Sequence, residues 1–72
     1  MKFGENLKSL RNKKNITQEK LAELIGVSRQ SVSKWESGQT YPEMDKLLTM
    51  CKLFNITLDD LTNDEIDYKA VK

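Results

Sequence analysis

A chain of 72 residues has room for one domain, and a domain of this size buries only about 60% of its unfolded surface, which leaves a small core and no deep substrate cavity. Its one cysteine, Cys51, excludes an internal disulfide and fits a reducing compartment, and the absence of histidine removes the usual zinc ligands and the imidazole of Ser-His or Cys-His chemistry. The net charge of +1 conceals an asymmetry: residues 1–34 carry eight Lys/Arg against three Glu (8 − 3 = +5), and residues 35–72 carry four Lys against eight acids (4 − 8 = −4). A bipolar chain of this kind can turn a basic face toward a polyanion or can simply be well solvated. No run approaches the roughly 18 apolar residues of a membrane span. The opening MKFGENLKSLRNKK has no secretory apolar segment, so a cytoplasmic protein is expected.

Taken in chain order, the pattern is one of short amphipathic helices joined by tight turns. Phe3, Leu7 and Leu10 share a face, which predicts a first helix over Phe3–Lys14, with Lys13 and Lys14 in its last turn against the helix dipole. Thr17 has the position of an N-cap, with Ile16 and Leu21 on either side of it as a hydrophobic staple. The second helix should carry Leu21, Leu24 and Ile25 inward and stop at Gly26. Ser28 is the next N-cap, with Val27 and Val32 as a second staple, and the third helix should run over residues 29–37 to Gly38. After GQTYP, with Pro42 near the start of the next helix, Met44, Leu47, Leu48, Cys51 and Phe54 form the expected inner stripe of a fourth helix ending near Asn55. Ile56, Thr57, Asp60 and Leu61 repeat the staple-and-cap grammar for a short fifth helix over residues 58–62. This gives a domain over residues 1–63. The tail, residues 64–72, reads equally as a dimer arm, a disordered end or a linker.

The most specific signal lies in residues 18–37. Apolar Leu21, Ile25, Val27, Val32 and Trp35, the small Ala22 and the turn residue Gly26 stand at the offsets of two short helices crossing steeply, a helix-turn-helix. Trp35 is spaced as a core residue rather than a base-stacking one. Cys51 reads as a small buried hydrophobe rather than a redox switch. Arg29, Gln30, Ser33 and Lys34 share the face of the third helix opposite Val32 and Trp35. Their chemistry suits base edges, since Arg and Lys match the guanine acceptors and Gln matches adenine. Exposed polar residues without a partner would show the same pattern. The serines of RQSVSKWES are poor helix formers but short, so they let the helix approach a groove closely.

The stretch TQEKLAELIGVSRQSVSKWESGQTYP resembles the phage repressor and Cro-like DNA-binding domain, the xenobiotic-response-element type, over about residues 4–62. The resemblance implies an all-α fold, a compact five-helix lambda-repressor-like bundle, that binds double-stranded DNA as a homodimer on a palindromic operator. It implies base contacts from Arg29, Gln30 and Lys34, with Ser33 a weaker candidate, and a phosphate contact from Gln18. Ser37 and the loop Gln39, Thr40 and Tyr41, through backbone N–H groups, match a second phosphate-touching region; Ser28 lies close to the DNA backbone, with capping its main role. Lys13 and Lys14 add long-range attraction. Arg11 and Glu36 match a structural ion pair between the first helix and the recognition helix. The function so implied is transcriptional regulation, by default repression; an antitoxin or a protein-interaction adaptor on the same fold is the rival. No metal, cofactor or small-molecule ligand is implied, and an enzyme has no support, since Asp59 and Asp60 are explained by capping.

Overall fold

The computed structural model describes residues 2–62, and these form five helices: α1 (Lys2–Lys13), α2 (Gln18–Ile25), α3 (Arg29–Ser37), α4 (Met44–Phe54) and α5 (Leu58–Thr62). No strand occurs among the described residues, so the all-α five-helix architecture holds. α1 starts and stops one residue earlier than its apolar spacing suggests, a shift within the ordinary fraying of helix ends. The expected tail, residues 64–72, lies outside the described residues.

The helix starts follow from side-chain chemistry. Thr17 Oγ1 accepts from Lys20 N at 3.0 Å, Ser28 Oγ from Ser31 N at 3.2 Å and Thr57 Oγ1 from Asp60 N at 3.1 Å. Each bond satisfies one of the amides that a helix start leaves open. α2 stops at Gly26, whose φ of 84° is in the left-handed region and whose N–H donates to Ala22 O at 2.8 Å. α4 has no such device at its start: Glu43 makes no side-chain cap bond, and Pro42 is buried in the loop, two residues before the helix begins.

Inward-facing residues from all five helices make one core: Phe3, Leu7 and Leu10 of α1, Leu21, Ala22 and Ile25 of α2, Val32 and Trp35 of α3, Leu47, Met50 and Phe54 of α4, and Leu61 of α5. Trp35 is therefore a core residue. Ile16, Val27 and Ile56, the outer halves of the three staples, pack against the cluster from its edge. Asn6, buried on α1, donates from Nδ2 to Leu61 O at 3.3 Å and ties α5 to the first helix.

Three residues expected inside are not. Leu24 is 45% exposed, Met44 56% and Leu48 48%. Leu24 precedes Ile25, and Leu48 follows Leu47, so each is turned about 100° from a core position. The buried line of α4 runs through Leu47, Met50 and Phe54, and Met44 stands off it in the open first turn. Met50, on that line, is fully buried although the apolar spacing did not single it out. Cys51 is half-buried against the cluster, and burial pushes its thiol pKa up, which keeps it neutral.

α1 crosses the C-terminal end of α3 at van der Waals contact. A Cβ built on Gly4 would lie 2.6 Å from the carbonyl oxygens of both Trp35 and Glu36. Alanine normally gains about 1 kcal/mol over glycine inside a helix. Here the added methyl meets backbone that cannot step aside, and Gly4→Ala should lower stability in urea unfolding. Gly26→Ala meets no atom within 4 Å but must hold a left-handed φ, at a cost of about 1–2 kcal/mol. The ordering expected is Gly4→Ala below Gly26→Ala below the parent. Trp35→Ala should cost about 3–5 kcal/mol in the same assay.

Candidate nucleic-acid interface

The three residues between α2 and α3 are Gly26, Val27 and Ser28, and this short turn sets the two helices against each other as a helix-turn-helix. Val32 and Trp35 anchor α3 from beneath. With that side fixed in the core, Arg29, Gln30 and Lys34 are exposed on the other, and Ser33 is half-exposed between them. Their spacing puts all four on one face of a nine-residue helix. This face offers two cations, a carboxamide with both donor and acceptor, and a short hydroxyl, with no bulky apolar group to hold a ligand away. Ser31, half-buried, exchanges a hydrogen bond with the Ser28 hydroxyl at 3.1 Å, so it supports the cap.

The residues expected around phosphate fall into two groups. Gln18 is the first residue of α2 and half-buried, at a helix N-terminus whose first amides point outward. Ser28 caps α3. At the far end of α3, Ser37 Oγ donates to Lys34 O at 3.1 Å. The backbone amides of Gln39 and Thr40 also donate to Lys34 O, at 2.9 and 3.4 Å, and that of Gly38 to Trp35 O at 3.2 Å. Of the backbone N–H groups expected to face phosphate across Gln39, Thr40 and Tyr41, the first two thus bond to the end of α3. A helix C-terminus leaves carbonyls open, and the first two amides of the loop are spent on them. Only the Tyr41 amide is outside this cap; Gln39 and Thr40 keep their exposed side chains. The Tyr41 ring lies 4.7 Å from that of Phe3, tilted by 51°, which holds the loop against α1.

Behind this surface Arg11 meets Glu36. Arg11 Nε donates to Glu36 Oε2 at 2.7 Å, and its Nη2 donates to Oε1 at 3.2 Å, a two-pronged pair. The side chains are 12% and 4% exposed. Arg11 Nη1 also donates to Ile16 O at 3.0 Å, at the residue before the α2 cap. Gln18 Nε2 donates to Glu36 Oε1 at 3.1 Å, a contact that the sequence reading missed. It also missed Gly4, although an isolated glycine inside a helical pattern is a known sign of close packing.

Comparison with known proteins agrees with this architecture. Residues 7–61 match the family model described as helix-turn-helix. The chain is 51% identical over 65 residues to the HTH-type transcriptional activator BcrR of Enterococcus faecalis, covering 90% of this chain and 32% of BcrR. It is 32% identical over 63 residues to the antitoxin PezA of Streptococcus pneumoniae, covering 88% of this chain and 40% of PezA. It thus spans well under half the length of either relative. Among solved structures, the P22 c2 repressor in complex with a synthetic operator superposes with a TM-score of 0.83 at 31% identity, covering 90% of this chain and 98% of that one.

Removing one partner of the Arg11–Glu36 pair leaves the other charge buried. Arg11→Ala or Glu36→Ala should each cost about 3–5 kcal/mol in chemical denaturation. Arg11→Met/Glu36→Leu, which removes both charges and refills the space, should cost much less than the sum of the two single changes.

Proposed function

The chain belongs to the Cro/C1-type helix-turn-helix family, and from that premise we propose that it is a sequence-specific DNA-binding regulator of transcription that lays α3 in the major groove. The observation that carries this reading is the division of α3 into a core-locked side, Val32 and Trp35, and a fully polar side on which Arg29, Gln30 and Lys34 are exposed and Ser33 half-exposed. Arg29 and Lys34 address guanine O6/N7 and Gln30 addresses adenine N6/N7, with Ser33 in a lesser role. Gln18 at the start of α2, with Ser28, Ser37, Gln39, Thr40 and Tyr41 around the ends of α3, contacts the sugar–phosphate backbone. These contacts fix register rather than sequence. The reading assigns no catalysis and no cofactor. It puts the protein in the cytoplasm, where DNA and the reduced Cys51 both belong. No described helix is long and apolar enough to cross a membrane.

In this reading two protomers act together on a palindrome, each with its α3 in one of two successive major grooves about 34 Å apart. The α4–α5 region is the side we assign to dimer contact, because the basic face is occupied by DNA and Met44 and Leu48 are exposed apolar groups on α4. An operator-bound dimer represses where it blocks polymerase and activates where it recruits it. The similarity to an activator and to an operator-bound repressor supports regulation of either sign. The similarity to PezA supports the rival, an antitoxin or adaptor whose main partner is a protein.

Enrichment from a randomised duplex pool, followed by affinity measurements across a salt series, separates the two. A regulator selects a palindrome and binds it at least about a thousandfold more tightly than random DNA, with log affinity falling steeply against log salt. An adaptor prefers no duplex. On the selected duplex Gln30→Ala should cost about 1–3 kcal/mol and relax one base position. Gln18→Ala should weaken all sequences alike. Identical sequence profiles for both variants would dissolve the division between base and backbone readers.

A further inference from the structure

Glu36 has more donors than its charge requires. Its side chain is 4% exposed, and Arg11 alone neutralises it through both carboxylate oxygens. The third donor, Gln18 Nε2 at 3.1 Å, comes from the first residue of α2. A carboxylate only accepts hydrogen bonds, so this contact chooses which end of the Gln18 amide faces inward. The flipped amide would set its carbonyl oxygen against the carboxylate, acceptor against acceptor. Nε2 carries two hydrogens, and one is taken by Glu36. The other remains for an acceptor in front of the α2 N-terminus, where open backbone amides already favour an anion.

We propose that Glu36 is a positioning residue for the DNA backbone: by accepting from Gln18 Nε2 it holds that amide as a fixed donor to a phosphate. The proposal rests on the DNA-reading function above. An unanchored glutamine carries large rotamer freedom and gives some of it up on binding. Gln18 has given it up in the free protein, so its phosphate contact is pre-organised. The chain of contacts runs from α1 through Arg11 to Glu36 on α3 and out to Gln18 on α2. Arg11 also secures Ile16 O beside the α2 cap, so side chain and helix start are fixed by one network.

The test has one part without DNA and one with it. In the free protein, heteronuclear NMR should find one of the two Gln18 Nε2 protons coupled across the hydrogen bond to the Glu36 carboxylate and exchanging with water more slowly than the side-chain amide protons of exposed Gln39. Absence of that coupling, with both protons exchanging as fast as those of Gln39, overturns the proposal. The second part uses the duplex recovered by enrichment, unmodified and with single neutral methylphosphonate linkages. The parent should lose about tenfold in affinity at one linkage per half-site, the scale of a hydrogen bond to a charged group. Gln18→Ala should remove most of that loss, leaving the share that the open amides of the α2 N-terminus contribute. Arg11→Met/Glu36→Leu, which keeps the core filled but removes the anchor, should reduce it to about twofold and leave the base preferences unchanged. A penalty still near tenfold in this double variant, confirmed folded by its melting transition, sinks the positioning role. Should the double variant not fold, the parent in saturated complex decides. Its Glu36-coupled proton should stay coupled while the other shifts, and loss of the coupling on binding counts against the proposal. If enrichment recovers no duplex, the DNA-reading function fails first. The proposal falls with it, even where the free-protein bond is seen.

Discussion

A buried carboxylate must be matched by donors, and in this domain the matching fixes the arrangement of three helices. Glu36 lies near the end of α3, among groups that leave its charge little water. Arg11 reaches it from α1 and Gln18 from α2. Because an isolated buried charge is so costly, relative movement of these helices is penalised by electrostatics as well as by packing. Gly4 adds a steric condition at the same place, since α1 can approach the Trp35 and Glu36 carbonyls only where it has no side chain. The polar face of α3 is thus aimed by contacts made on its other side.

The two ends of α3 are built differently, and the difference bears on what each can offer a ligand. Its start is capped by a hydroxyl, Ser28, which answers one amide and leaves the neighbouring N–H groups pointing outward. Its end is closed by the chain itself, with Gly38, Gln39 and Thr40 folding their amides back onto carbonyls of the last turn. The start therefore keeps donor capacity in the backbone, and the end has moved it to side chains. Gln18 and Glu36 repeat the contrast: one polar group half-exposed at a helix start, its partner closed off behind it.

Much of this was legible in the residues. Each helix with a side-chain cap, Thr17, Ser28 or Thr57, was placed correctly at its start, because a cap is a local bond between residues three apart. The helix-turn-helix was legible because its apolar positions and Gly26 obey one short-range geometry. Errors arose where position depends on what lies across the core. Leu24, Met44 and Leu48 are as apolar as their buried neighbours, and only the direction from which the other helices approach decides which of two adjacent residues is covered. The spent amides of Gln39 and Thr40 were likewise invisible, since they depend on how the chain turns after Gly38. The bond between Gln18 and Glu36 joins residues 18 positions apart that no periodicity connects.

The lengths of the helices carry a consequence of their own. The longest has 12 residues and α3 has nine, at or below the length at which an isolated helix persists in water. None of them can outlast the shared core, so loss of the core and loss of the polar face on α3 are a single cooperative event. Any partner that grips this face draws on the whole folding equilibrium and raises the apparent stability of the domain by mass action. Occupancy and lifetime are then coupled. A domain holding its partner is withdrawn from the unfolded population that proteases clear, and one that has let go returns to it.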